Sequence, residues 1–156
     1  MVIEKKINSA AVRMKSLDTL DRSLELLHFG FRGLTVEADR FLATLGLSRV
    51  HHRMLYVIAR AEEISVGDLA ATLGVSKQAA HRPLTQLFER ELVGYHRDPG
   101  RHRFKLLALS EQGAEVERSA TELERKLLRE AFAQTDSHGQ EAWMNVMLSL
   151  AGHLNR

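Results

Sequence analysis

The amino-acid sequence predicts a mainly α fold with a small β-hairpin wing, a winged helix-turn-helix set between N- and C-terminal helices. Three observations predict it. Apolar residues recur at helical spacing over most of the chain, and only 10 Gly and 2 Pro interrupt 156 residues. Residues 68–87 follow the grammar of helix, tight turn, helix. Directly after them, two short β-type segments flank the turn signal Asp98-Pro99-Gly100. A chain this long buries roughly 70% of the surface it exposes unfolded, so its core needs no covalent staples.

Each element has a local reason. Leu17, Leu20, Leu24, Leu27, Phe31 and Leu34 are spaced three and four apart, a helical stripe at coiled-coil spacing. Gly30 and Gly33 weaken that stripe and either bend it or let another helix come close. Ser48 caps a second helix carrying Met54, Leu55, Val57 and Ile58. Ser65-Val66-Gly67-Asp68 reads as a capping box opening a short helix through Leu73. Leu69, Ala70 and Leu73 give that helix an apolar face, Gly74 permits the positive φ of a tight turn, and Val75 plugs the corner. Ser76 caps the next helix, to about Arg90, whose Ala80, Leu84, Leu87 and Phe88 share one side and pack inward. Strands over 92–97 and 103–109 form the hairpin. A helix rich in Glu, Lys and Arg then runs from Ser110 to about Gln134. Asp136-Ser137 opens a last helix with Trp143, Val146, Met147, Leu150 and Leu154 on one face. The regions are 1–47, 48–110 and 111–156.

Cysteine is absent, which excludes disulfides, thiolate catalysis, cysteine-based zinc sites and thiol redox sensing. The net charge of +2 says little until it is divided along the chain. Residues 1–75 carry +1, residues 76–105 carry +4 and residues 106–156 carry −3. A local basic patch is the electrostatic footprint of a phosphate-backbone partner. The longest apolar run, 54–59, is far below the roughly 18 residues of a membrane span, and residues 1–15 have no sustained apolar core. No membrane association and a cytoplasmic location are expected.

The side of the Ser76 helix opposite its apolar face carries Gln78, Ala79, Arg82 and Gln86, with Lys77 at the start and His81 at the border. These residue types suit a helix in the major groove of double-stranded DNA. Arg bonds guanine bidentately, Gln bonds adenine, and Ala touches a thymine methyl. Ser76 and Lys77 suit phosphates. The hairpin after this helix is a wing, with Arg101, His102 and Arg103 at a tip able to enter a narrow minor groove. The alternative is a winged helix used for protein contacts without specific DNA readout. That role calls for apolar residues where Gln78 and Arg82 stand.

Eight histidines raise a metal question, but their spacing is not that of a zinc site. His51 and His52 are adjacent and cannot share a helix face. No metal and no cofactor is expected. No nucleophile elbow, phosphate loop, metal-ligand helix or catalytic carboxylate pair is present in the sequence, so no catalytic residue is assigned and an enzyme is not expected.

The sequence resembles the MarR family of bacterial winged helix-turn-helix regulators over residues 19–156. The resemblance is carried by Leu45-Gly46-Leu47-Ser48, by Leu69-Ala70-Ala71-Thr72-Leu73-Gly74-Val75-Ser76, by Leu92-Val93, by Asp98-Pro99 and Arg103, and by Leu107-Ala108-Leu109-Ser110-Glu111-Gln112-Gly113. It implies a homodimer built by N- and C-terminal dimerisation helices, a pseudo-palindromic operator, and often a small-molecule effector bound between the dimerisation and DNA-binding regions. The stripe from Leu17 to Leu34 and the face from Trp143 to Leu154 match the dimerisation role, although an intramolecular core accounts for their periodicity equally well. His28 and Arg32 on the first helix, and Arg53 and Tyr56 on the second, are the candidates for an effector pocket. A repressor is favoured over an activator. Two departures stand out. The family's wing has Asp where this chain has Arg101 and a basic residue where it has His102. Pro83 lies inside the reading helix, removes its hydrogen bond to Ala79, and is expected to kink the helix or loosen its first turn.

Overall fold

The computed structural model describes residues 15–97 and 105–155. In chain order these form α1 (Thr19–Thr44), α2 (Arg49–Arg60), α3 (Val66–Leu73), α4 (Lys77–Glu89), β1 (Val93–Arg97), β2 (Lys105–Leu109), α5 (Glu111–Phe132) and α6 (Ser137–Ala151), closed by a 3₁₀ turn at Gly152–Asn155. The architecture is the mainly helical, single-hairpin fold that the sequence predicts. The chain divides into two compact units, Met1–Gly33 and Leu34–Arg156.

The core lies in the second unit. Ala38 and Leu42 from the end of α1, Met54, Leu55 and Ile58 from α2, Leu69 and Ala70 from α3, and Ala80, Leu84 and Leu87 from α4 are all buried. Leu92, Val93 and Leu107 at the hairpin, with Val116 and Ala120 of α5, complete it. The inward set foreseen for α4 is therefore in place, with Phe88 partly buried against the same cluster. In the first unit, by contrast, Leu20, Leu24, Leu27 and Phe31 of the helical stripe are exposed. A Cβ at Gly30 or Gly33 would meet nothing within 4 Å among the described residues, so no described element uses those glycines for close approach.

Helix ends are set by short-range chemistry. Ser65 and Asp68 form the reciprocal capping box at α3: the Asp68 N–H donates to Ser65 Oγ, and the Ser65 N–H donates to the Asp68 carboxylate, each at 3.2 Å. Hydrogen bonding to Ser65 holds the Asp68 carboxyl below its ordinary value. Ser76 and Asp136 cap α4 and α6 by accepting from the backbone N–H groups of Ala79 and Gly139.

Three helix ends close in the Schellman pattern, with a left-handed residue followed by a backbone bond back over the last turn; at α1 the residue is Gly46 (φ 64), and the Leu47 N–H reaches the Leu42 carbonyl at 2.9 Å. At α3 the left-handed residue is Gly74 (φ 67), and the Val75 N–H reaches the Ala70 carbonyl at 3.0 Å. Val75 is nonetheless 41% exposed, so the expected corner plug is not there. The backbone bond, not the side chain, holds the turn. At α4 the left-handed residue is Glu91 (φ 55), and the Leu92 N–H reaches the Leu87 carbonyl at 3.0 Å.

β1 and β2 pair antiparallel from Val93↔Leu109 to Arg97↔Lys105. The Leu107 N–H also donates to the Ile64 carbonyl at 2.8 Å, tying the hairpin to the segment before α3. Residues 98–104 lie between the two strands, outside the described residues. The expected strand start at 103 falls in this gap, and so do Arg101, His102 and Arg103. α4 continues as one helix across Pro83. The α6 face expected from Trp143 to Leu154 forms no intramolecular core: no residue of α6 is buried, and Trp143, Val146, Leu150 and Leu154 are exposed.

Candidate nucleic-acid interface

The side of α4 turned away from the core begins with the Ser76 cap. With Ala79 held on Ser76 Oγ, the first turn presents exposed Lys77, Gln78 and Ala79, and the next presents His81 and Arg82. Ala80 and Leu87, the residues most deeply buried, point the opposite way. Positions 79, 82 and 86 recur at helical spacing and form one ridge. The side chains of Gln78, His81 and Arg82 make no hydrogen bond or ion pair to another described residue. A helix N-terminus carries partial positive charge, and Lys77 adds a full one, so this end of α4 attracts anions. The Lys77 stem lies across the start of α3, where a Cβ at Gly67 would sit 3.3 Å from Lys77 Cε.

Gln86 is placed differently from the rest of the sequence-derived set. It is half-buried, and its Oε1 lies 2.8 Å from Nε2 of His51 on α2. His51 Nδ1 in turn accepts the Ser48 backbone N–H at 3.0 Å and lies 2.9 Å from Ser48 Oγ. Sequence reasoning considered the adjacent histidines only as metal ligands. Successive helical residues point about 100° apart, and the structure sends the two rings to different helices. His52 is 1% exposed and its Nε2 lies 3.0 Å from Thr121 Oγ1 of α5. The Thr121 hydroxyl donates to Glu117 Oε1 at 2.6 Å, so it must accept from His52. Glu117 Oε1 also receives Arg60 at 2.7 Å. Burial holds the His52 ring below its ordinary pKa and pushes the Glu124 carboxyl, 3.7 Å from His52 Nδ1, above its own. The signal that could have revealed His51 is its position: it stands three residues after the cap Ser48, where a side chain reaches back to the cap.

The hairpin root is fixed to α4 by Tyr95, whose ring meets Phe88 at 4.7 Å, with Lys105 Nζ 5.2 Å from the Tyr95 centroid. Arg101, His102 and Arg103 lie outside the described residues.

Of the candidate effector residues, His28 and Arg32 belong to the first unit, where both flank Phe29: His28 edge-on at 5.2 Å, and Arg32 6.0 Å from its centroid. Arg53 and Tyr56 belong to the second unit. Arg53 lies 5.0 Å from the Tyr56 ring and Arg60 lies 3.6 Å from it. Among the described residues no group of three His, Cys, Asp or Glu could hold a metal ion, and no helix is long and apolar enough to cross a membrane.

This geometry has relatives. The MarR family model matches residues 45–103. The HTH-type transcriptional regulator PetP of Rhodobacter capsulatus is 34% identical over 115 residues, covering 74% of this chain and 69% of PetP. AbsC, a MarR family transcriptional regulator from Streptomyces coelicolor, superposes with a TM-score of 0.67 at 20% identity, covering 91% of this chain and 99% of AbsC. A MepR mutant of S. aureus bound to an oligodeoxyribonucleotide superposes with a TM-score of 0.57 at 16% identity, covering 85% of this chain and 97% of that one. The chain therefore belongs to the MarR family of DNA-binding transcriptional regulators.

Proposed function

We propose that the protein acts as a homodimeric repressor on a pseudo-palindromic operator. In this reading α4 enters the major groove, where Gln78, Ala79 and Arg82 meet base edges and Ser76 and Lys77 hold phosphates. The tip residues Arg101, His102 and Arg103 enter the flanking minor groove. A dimer sets the two reading helices about one DNA turn, roughly 34 Å, apart. A small molecule taken up beside His28 and Arg32, or beside Arg53 and Tyr56, releases the operator.

The observation that carries the reading is the row Gln78, Ala79 and Arg82, exposed on a helix whose other side is buried. Side chains with donors and acceptors free, on an N-terminus already favourable to anions, match a duplex better than an apolar partner.

Selection of bound fragments from the parent genome tests it. The expected product is one pseudo-palindromic sequence with half-sites about a turn apart. On that operator Arg82→Ala should remove roughly 1–3 kcal/mol of discrimination at a single base pair. Equal weakening on every sequence would reduce Arg82 to a phosphate contact, and recovery of no common sequence would remove specific reading altogether.

A further inference from the structure

The orientation of the Gln86 amide is set by a backbone group two elements away. A backbone N–H only donates, so His51 Nδ1, 3.0 Å from the Ser48 nitrogen, must accept and carries no proton. The ring proton therefore sits on Nε2. The Gln86 atom 2.8 Å from Nε2 must then be the amide oxygen, whichever way the amide is drawn. That oxygen is turned toward a buried ring, which leaves the amide nitrogen with both its N–H groups. No described residue bonds this nitrogen, and no buried side-chain N or O lacks a partner among the described residues, so the nitrogen is open to solvent. Gln86 lies on the ridge that also carries Ala79 and Arg82.

We infer that His51 is a positioning residue that presents Gln86 to DNA as a pure hydrogen-bond donor. Gln86 then engages an acceptor, a phosphate oxygen or an acceptor on a base edge. It does not read adenine, which calls for a donor and an acceptor offered side by side. The inference rests on the DNA-reading role proposed for α4.

Two measurements on the full-length protein test it. Long-range ¹H–¹⁵N spectra should show His51 with a pyridine-like Nδ1 and a pyrrole-like Nε2, the signals being assigned by their loss in His51→Gln. The opposite tautomer, or an averaged ring, overturns the positioning role. Binding to the selected operator supplies the second measurement. Gln86→Glu keeps an oxygen for His51 but offers the DNA an anionic oxygen, whereas Gln86→Met simply removes the donors. Gln86→Met should weaken binding by about tenfold and Gln86→Glu by more, each with unchanged circular dichroism. A loss uniform over sequences assigns a phosphate acceptor, and a loss confined to one base pair assigns a base edge. In the Gln86→Met background, His51→Gln should cost no further affinity, because His51 acts through Gln86. Wild-type affinity in both Gln86 variants overturns the inference while leaving the DNA-reading role intact. A wild-type protein that binds no duplex overturns that role and the donor role with it, and the ring tautomer is still decided independently.

Discussion

Gly113 shows how much one missing side chain can carry. A Cβ there would sit 2.0 Å from the Leu92 carbonyl oxygen, against backbone that has no rotamer to yield. In an open helix, Gly to Ala gains about 1 kcal/mol from propensity. Here the overlap outweighs that gain, and Gly113→Ala should destabilise the protein by about 1–3 kcal/mol in urea unfolding. A stabilised variant would show that α5 can move away from Leu92. This glycine belongs to the sequence pattern after the wing, but the pattern alone does not say why. The reason is a close approach between segments about twenty residues apart. Gly74 is different, because the helix-to-turn grammar around it already implies its left-handed φ. Glu91 takes up the same left-handed conformation with no glycine to announce it, and nothing in the sequence pointed to it.

Among the elements, α2 is the one whose role was least legible. Its periodic apolar residues gave its existence, and Ser48 its start, but its two histidines needed tertiary partners to acquire meaning. His51 bonds toward α4 and His52 toward α5. The α2–α5 contact has a pH signature. Burial holds His52 in the folded state below its ordinary pKa, near 6.5 in the unfolded chain. Below pH 6.5 the unfolded chain therefore binds more protons, and stability full above that value is lost as pH falls. The raised Glu124 carboxyl acts with the opposite sign, losing stability as pH rises through its folded value. Comparing His52→Gln with wild type isolates the ring. Between pH 7 and pH 5.5 the wild-type urea midpoint should fall relative to that of His52→Gln, which lacks the titrating ring. Equal slopes would mean that the ring is hydrated or already charged. The inward face of α4 was readable because 100° per residue sorts its apolar side chains without reference to any other element. The half-burial of Gln86 was not, because only the position of α2 produces it.

For the whole molecule, the decisive fact is how much apolar surface a single chain leaves outside. In the first unit Leu20 is 76% and Leu24 65% exposed, and on α6 Val146 is 59% and Leu150 49%. Scattered exposed apolar residues are ordinary, but rows of them at helical spacing are the mark of a partner surface. Light scattering at micromolar concentration should give twice the 17.6 kDa chain mass. A stable monomer would sink the dimer and the operator symmetry with it. Periodicity supplied these rows but could not say whether one chain or two would cover them. Charge is divided in the same spirit, with +4 on the reading helix and wing and −3 on the C-terminal helices. The segment proposed to meet phosphate is the basic one, and the acidic excess is confined to the C-terminal segment.

Leu92 joins two of these helices through its own peptide groups. Its N–H closes the end of α4 on Leu87, and its carbonyl accepts the Ser110 N–H at the start of α5 while lying against Gly113. The reading helix and the long helix thus share a pin instead of a tether. Leu92 is buried, so the end of α4 and the start of α5 meet at one fixed peptide with no slack segment at that contact.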